Sequence, residues 1–292
     1  MENGFRFMTN GIIDAHQHFW QLGLFDYPWM SPDLGILYRD YLPSQLEPIL
    51  QECGVTKTIL VQASNSLAET RWLLNLANAH QFIAGVVGWV DLTDDRMEEE
   101  LELLTANPKF KGVRHLVESE PADDWLVQPS VLRGLQLLER HQVSYDLLVH
   151  TRHLKHVKTV AENCPELRLV VDHMAKPPIA GGQIKEWAQE IKPVAGCPNV
   201  SCKLSGLVTE ANHTSWSTEH LRPFVDRALE FFGPARMMFG SDWPVCLLAA
   251  SYHQVLESFQ SLLAELGDED RSRVFGESAA EFYRLQRAAR SA

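Results

Sequence analysis

Cysteine is sparse in this chain and forms no CxxC pair. Cys53, Cys164, Cys197, Cys202 and Cys246 are an odd number, scattered over 292 residues, which leaves no disulfide framework and no clustered thiol pair to read. Reduced, mostly buried thiols of a cytosolic protein are the expectation. Positive charge is also short. The 26 Lys and Arg against 38 Asp and Glu leave a net charge of -12 and a pI near 5.4, which opposes nucleic acid or an anionic membrane surface as partner. No apolar run approaches the roughly 20 residues of a membrane span, and the opening MENGFRFMTNGIID has no long apolar core of a leader. The expectation is a cytoplasmic protein that neither spans a membrane nor leaves by that route. Low-complexity tracts and sequence repeats are absent as well. What is present is ordinary globular composition, with 45% apolar and 22% charged residues, ample for a core. One domain over 1–292 is expected, because an α/β barrel commonly takes about 250 residues.

The stretch MMFGSDWPV, Met237 to Val245, organises the chain. A short apolar run reads as a strand buried on both faces; Gly240 and Ser241 break it, and Pro244 prevents simple continuation. Asp242 therefore stands just past a strand end, where a parallel sheet presents its working groups, and is the candidate general base. Capping a helix that begins near Ala249 is its competing role. Near the start, IIDAHQHFW puts His16 and His18 two residues apart, on one face of a strand, so that two imidazoles converge on one point. That suits a divalent metal or a substrate oxygen. Cys246, close to Asp242, is read as an inert thiol.

Between these ends the sequence alternates. Helical spacing over Leu46–Cys53 stops at Gly54; TILVQ (Thr58–Gln62) is β-branched and apolar. Helices follow at Leu67–His80, Met97–Thr105, Pro129–His141, Leu154–Asn163, Ile184–Ala195, Thr218–Phe232 and from Ser251 onward. Strands are expected at Ile83–Val90, Gly112–Leu116, Tyr145–His150, Leu167–His173, Val200–Leu204 and Met237–Phe239. Eight strands, each followed by a helix, predict βαβ units closing into a (β/α)8 TIM barrel of the α/β class. Gly23 to Pro43 has no period and is expected to fold over the site.

Polar residues recur at the predicted strand ends. They are His16 and His18, Gln62, Trp89, Arg114 with His115, His150, His173, Lys203 and Asp242. In a closed barrel all of them meet at one rim. A single histidine among them would be an ordinary core residue, but so many at equivalent positions point to a site. Arg114 offers a forked donor to a hydroxyl pair or a carboxylate, with an ion pair at the barrel rim as the alternative. Lys203 could do either, and Lys176 reads as a solvated loop residue. Trp20, Trp29, Trp89 and Trp243 could pack on a sugar ring, although aromatics near a barrel mouth more often pack loops.

The segments IDAHQHFW, GVRH, LLVH, VVDHMAKPPI, CKLSGL and FGSDWPV span nearly the whole chain. In that order they resemble the amidohydrolase superfamily, in particular its lactonase-rich branch. The resemblance implies a distorted (β/α)8 barrel and hydrolysis of a carbonyl centre by water that the strand-eight aspartate activates. Similar enzymes of that branch open L-fuconolactone, L-rhamnonolactone, sulfomuconolactone and pyrone-dicarboxylate lactones. Binuclear members carry a bridging carboxylated lysine or a glutamate, where GVRH offers Arg114 and His115, so two metals are not expected. His16, His18 and Asp242, with His150 or His173, would suit one Zn²⁺ with an open water position. Hydrogen bonding of His16 and His18 to the scissile carbonyl, without metal, is the other reading, and both stay open here.

The expected activity is therefore a lactonase, a carboxylic ester hydrolase opening a small aldonolactone in carbohydrate catabolism. Asp242 takes the proton of water, His16 and His18 or their zinc meet the oxyanion, and His150 or His173 assists the ring oxygen. Arg114, Lys203, Gln62, Trp89 and Trp243 are the expected substrate contacts. A mononuclear zinc decarboxylase of related barrel type and an inactive sugar-acid-binding barrel are the competing readings. The oligomeric state is open, with a homo-oligomer compatible.

Overall fold

The computed structural model describes residues 11–285. The reading of the first ten residues as free of a leader lies outside that range, as do residues 286–292 of the expected domain. Eight strands follow one another along the chain: β1 (Ile12–Gln17), β2 (Val55–Val61), β3 (Ile83–Gly88), β4 (Phe110–His115), β5 (Ser144–Leu147), β6 (Leu169–Val171), β7 (Val200–Leu204) and β8 (Met237–Phe239). They form one sheet in sequence order, and every neighbouring pair is parallel. Where β8 returns to β1, the seam closes through backbone beyond the regular strands. The His18 N–H donates to the Trp243 carbonyl at 2.7 Å, and the Asp242 N–H donates to the His16 carbonyl at 2.8 Å. The (β/α)8 expectation holds, and its closure is made by the candidate site's own main chain.

The helices are α1 (Pro43–Cys53), α2 (Leu67–Ala79), α3 (Met97–Thr105), α4 (Pro129–Arg140), α5 (Leu154–Asn163), α6 (Ile184–Ala195), α7 (Leu207–Glu210), α8 (Thr218–Phe232), α9 (Tyr252–Leu262), α10 (Asp268–Ser272) and α11 (Ser278–Phe282). Their spacing explains their placement: α4 buries Val131, Gly134, Leu135 and Leu138, one stripe of a 3.6-residue period turned to the sheet. Local signals set the ends. Gly54 takes the left-handed conformation that stops α1, and Ser251 accepts the Gln254 N–H to begin α9. That cap lies ten residues beyond Ser241, so Asp242 is not needed for it. Inside the barrel Ile13, Ala15, Ile59, Val61, Val87, Val170 and Met238 form a small core, closed from below by Ala279, Phe282 and Tyr283. Among the described residues no helix is long and apolar enough to cross a membrane.

Three strands end more than one residue sooner than their apolar patterns predict, β3 at Gly88 rather than Val90 and two others with a visible local cause. β5 stops at Leu147, and the chain enters a 3₁₀ turn at Thr151–His153, where His153 Nδ1 accepts the His150 N–H. β6 stops at Val171, because His173, Met174, Ala175 and Lys176 all take positive φ, between 52° and 60°. Side-chain period cannot show such a left-handed run, which costs energy in each non-glycine residue and persists only where its surroundings enforce it.

Candidate active site

The site begins with a buried carboxylate that is not itself exposed to the cavity. Asp14, on β1, accepts the Ser241 N–H at 2.9 Å, the Ser241 hydroxyl at 2.6 Å, the Tyr252 hydroxyl at 3.0 Å and the His16 N–H at 3.0 Å. Burial raises its pKa to about 6 in spite of these donors. This staple fixes the backbone that carries Asp242, whose φ is 58°. Glycine makes the close approach possible. A Cβ on Gly240 would lie 2.7 Å from His16 Cβ, and one on Gly206 (φ +66°) would lie 2.6 Å from His173 Nδ1.

Three imidazoles surround one carboxylate oxygen. Asp242 Oδ1 lies 3.5 Å from His18 Nε2, 3.8 Å from His16 Nε2 and 3.9 Å from His173 Nε2. His16 Nε2 and His18 Nε2 are 3.1 Å apart, as the two-residue spacing on a strand predicts. His18 Nδ1 faces the Val61 carbonyl at 2.8 Å. A carbonyl only accepts, so that nitrogen carries the proton and Nε2 keeps a lone pair toward the centre. His173 Nδ1 is held by the Ser205 hydroxyl at 2.8 Å. Burial lowers the pKa of all three histidines, outweighing the ionised carboxylates beside them. For Asp242 burial acts upward, but His173 and the His18 hydrogen bond prevail and hold its pKa below the usual carboxylate value. At neutral pH the centre is therefore three neutral imidazoles around an ionised acceptor.

Beneath it lies a buried charge network. Lys203, fully buried, reaches Asp146 Oδ2 at 2.5 Å, Asp172 Oδ1 at 3.0 Å and His16 Nδ1 at 3.2 Å. Tyr283 donates to the same Asp146 oxygen at 2.7 Å. Burial alone would raise the pKa of Asp172, yet Lys203, His16 and Arg114 together bring it well below the ordinary value. Arg114 places one guanidinium nitrogen 3.2 Å from both Asp172 Oδ2 and His16 Nε2. Its other terminal nitrogen donates to the Gln62 backbone carbonyl, and to Gln62 Oε1 at 3.2 Å.

A cavity of about 180 Å³ opens over this centre. His18, Arg114, His173 and Asp242 line its floor, and Lys176, Glu118 and Glu210 stand on its wall. The segment Gly23–Pro43 reaches it as expected: Trp29 lines it and donates its indole N–H to the Ala63 carbonyl at 2.7 Å. Several expected contacts do not reach it. Lys203 is consumed by the two aspartates below. Gln62 is buried as the partner of Arg114. Trp243 packs on Phe19 and Tyr41 behind the seam. Trp89 donates to His115 Nδ1 at 3.1 Å, and His115 stacks on Trp125 with its Nε2 2.6 Å from Glu120. His150 lies past the end of β5, partly exposed, 3.7 Å from Glu118. These are corrections to the expected substrate contacts and, for His150, to the expected proton donor: Lys203, Gln62, Trp89 and Trp243 are each spent on a protein partner and do not line the cavity, and His150 is not among the residues that line it.

Glu118, Asp172 and Glu210 carry no signal in isolation. Only Asp172, next to His173 in VVDH, had a neighbour that could have marked it. Lys176, read as solvated, is instead paired with the Glu118 carboxylate on the cavity wall.

The donors His16 Nε2, His18 Nε2 and Asp242 Oδ1 lie within 4.8 Å of one another. Tetrahedral zinc with bonds of about 2.0–2.2 Å sets its ligand atoms about 3.3–3.5 Å apart, so separations of 3.1, 3.5 and 3.8 Å fit one ion after small adjustments. The His18 tautomer suits it, and Asp172 Oδ1 at 3.4 Å from His16 Nδ1 is the carboxylate partner that ligand histidines commonly have.

Comparison with known proteins agrees with this geometry. The sequence profile of the amidohydrolase family matches residues 13–285. An L-fucono-1,5-lactonase of Burkholderia ambifaria is 39% identical over 285 residues, covering 94% of this chain and 96% of that protein. An L-rhamnono-gamma-lactonase of Scheffersomyces stipitis is 25% identical over 226 residues, covering 69% of this chain and 65% of that protein. A crystal structure of an amidohydrolase from Burkholderia multivorans with bound zinc superposes with a TM-score of 0.89 at 38% identity, covering 94% of this chain and 99% of that one.

Proposed function

The chain belongs to the amidohydrolase family, and we propose that it is a lactonase, opening a small sugar lactone such as L-fuconolactone or L-rhamnonolactone to the free sugar acid. The observation that carries this reading is the single Asp242 oxygen set among three neutral imidazoles on the floor of a cavity. It is an ionised acceptor for the proton of water, with the Arg114 guanidinium on the same floor to hold a carbonyl oxygen. The lactonases among its relatives support the substrate class. They differ in ring size, so six- and five-membered lactones are both candidates.

In the proposed reaction Asp242 accepts a proton from water as the water oxygen bonds to the lactone carbonyl carbon. General base catalysis of this kind is worth about 10² to 10⁴ in rate. Charge develops on the carbonyl oxygen, where the Arg114 guanidinium faces it from the floor. One donor aimed at an oxyanion contributes about 3 to 4 kcal/mol. The bond from the carbonyl carbon to the ring oxygen then breaks, and that oxygen takes the proton Asp242 accepted, passed on through His173, whose Nε2 lies 3.9 Å from Asp242 Oδ1 and whose Nδ1 Ser205 holds in place. His150 stands too far out along the wall for this part. A Zn²⁺ held by His16, His18 and Asp242 would supply Lewis-acid polarisation of the carbonyl and a more acidic water. The five cysteines are free, which suits a cytoplasmic location, and a place in carbohydrate catabolism follows from the substrate class.

Turnover of a panel of sugar lactones in weak buffer with a pH indicator tests the reading. One proton should appear per lactone opened. Release of carbon dioxide from an aromatic acid would make the protein a decarboxylase, and binding of sugar acids without turnover would make it a binding barrel.

A further inference from the structure

We propose that Glu210 selects the substrate by its hydroxyl groups. On this assignment its carboxylate accepts hydroxyls of an uncharged, polyhydroxylated lactone and turns away lactones that carry a carboxylate. The inference rests on the lactonase reading and goes beyond it by assigning a residue that neither the sequence motifs nor the catalytic centre identify.

Glu210 ends the short helix α7 and lines the same cavity as Asp242. Its neighbour Thr209, also on the wall, is held by its own hydroxyl donating to the Gly206 carbonyl at 2.7 Å, so the turn that presents Glu210 is anchored next to His173. The wall's other carboxylate, Glu118, is neutralised by Lys176 and has His150 3.7 Å away. Among the described residues no side chain lies within ion-pair distance of Glu210. It is half-buried, and burial pushes its pKa up, with Glu118 and Asp242 adding to the effect and Lys176 and His213 opposing it. A partly desolvated carboxylate with no partner needs donors. Inside a small cavity the donors that arrive with a sugar lactone are its hydroxyl groups, and a carboxylate accepts two of them through charge-assisted bonds.

The charge balance of the cavity points the same way. Its cations, Arg114 and Lys176, are engaged with Asp172 and Glu118. On the wall, Glu210 adds a negative charge that no cation answers, so a substrate carboxylate placed there would meet repulsion and no free cation.

The test compares wild type and Glu210→Gln on three lactones of one ring size: a fully hydroxylated one, an unsubstituted one and one bearing a carboxylate. The variant should lose about tenfold or more in kcat/KM on the hydroxylated lactone, mainly through KM, because a hydrogen bond to a charged group is lost. The unsubstituted lactone should be handled alike by both proteins, and the carboxylate-bearing one should improve in the variant. Equal losses on the hydroxylated and unsubstituted lactones would mean a merely structural role and overturn the assignment, as would an unchanged KM for the hydroxylated one. If wild type opens no lactone at all, the lactonase reading itself fails and this assignment falls with it.

Discussion

The Asp14 carboxylate accepts both the backbone N–H and the hydroxyl of Ser241, at 2.9 and 2.6 Å, across 227 positions of sequence. It thereby joins the first strand to the residue that precedes Asp242. Asp14→Ala leaves Ser241 and the Tyr252 hydroxyl without their buried acceptor. A stability loss of several kcal/mol is expected in denaturant unfolding, at about 1–3 kcal/mol for each unsatisfied group. Turnover by the folded fraction should fall by up to about 10²-fold, the effect of displacing a reacting group by about 1 Å. A folded variant with wild-type kcat would show that Asp242 is placed without this staple.

Asp242→Asn removes the proton acceptor while keeping the shape of the side chain. Turnover should fall by about 10² to 10⁴, with thermal unfolding close to that of wild type. Near-normal turnover would take Asp242 out of the reaction.

Glu69 gives a pH signature away from the reacting centre. It is buried, accepts the Ala63 and Ser64 N–H groups, and has its pKa raised by burial to about 8. A folded-state pKa above the unfolded one means that the folded chain binds the extra proton. This stabilisation is complete below about pH 4.5 and is lost as pH rises to about 8, by up to about 1.4 kcal/mol per pH unit. Asp14 and Asp146, raised to about 6, act in the same sense but only at lower pH. Measured from pH 6.5 to 8.5, the melting temperature of wild type should therefore fall relative to that of Glu69→Gln. Parallel curves would place that slope elsewhere.

Zinc added to chelator-stripped protein should bind at one ion per chain and raise the melting temperature, since an ion that binds only the folded state stabilises it. His18→Ala should abolish both effects in equilibrium dialysis and thermal unfolding. An unchanged stoichiometry in that variant would move the ion away from His16, His18 and Asp242.

Much of this molecule is legible along the chain. Buried apolar runs alternating with amphipathic helices suffice for eight βα units, because each period reports which face is covered. Gly54 and Ser251 mark helix ends by chemistry that acts within a few residues. His16 and His18 could be assigned to one centre from their spacing on a strand. Asp242 could be placed at a strand end from the glycine, serine and proline around it.

Which strand-end side chains share a cavity is a different kind of fact. Lys203, Gln62, Trp89 and Trp243 have the right residue types at the right positions, yet they face, in turn, the charge network, the arginine, His115 and the packing behind the seam. His173 joins the centre through a left-handed turn that no periodicity reports. Glu118, Glu210 and Lys176 come together from loops after three different strands. The barrel and the order in which its polar groups arrive at the rim can be read along the chain, because they depend on local period and connectivity. Which groups face each other across the cavity, and which are spent on one another, emerges on folding alone, because burial, charge pairing and twist act between residues that the chain keeps far apart.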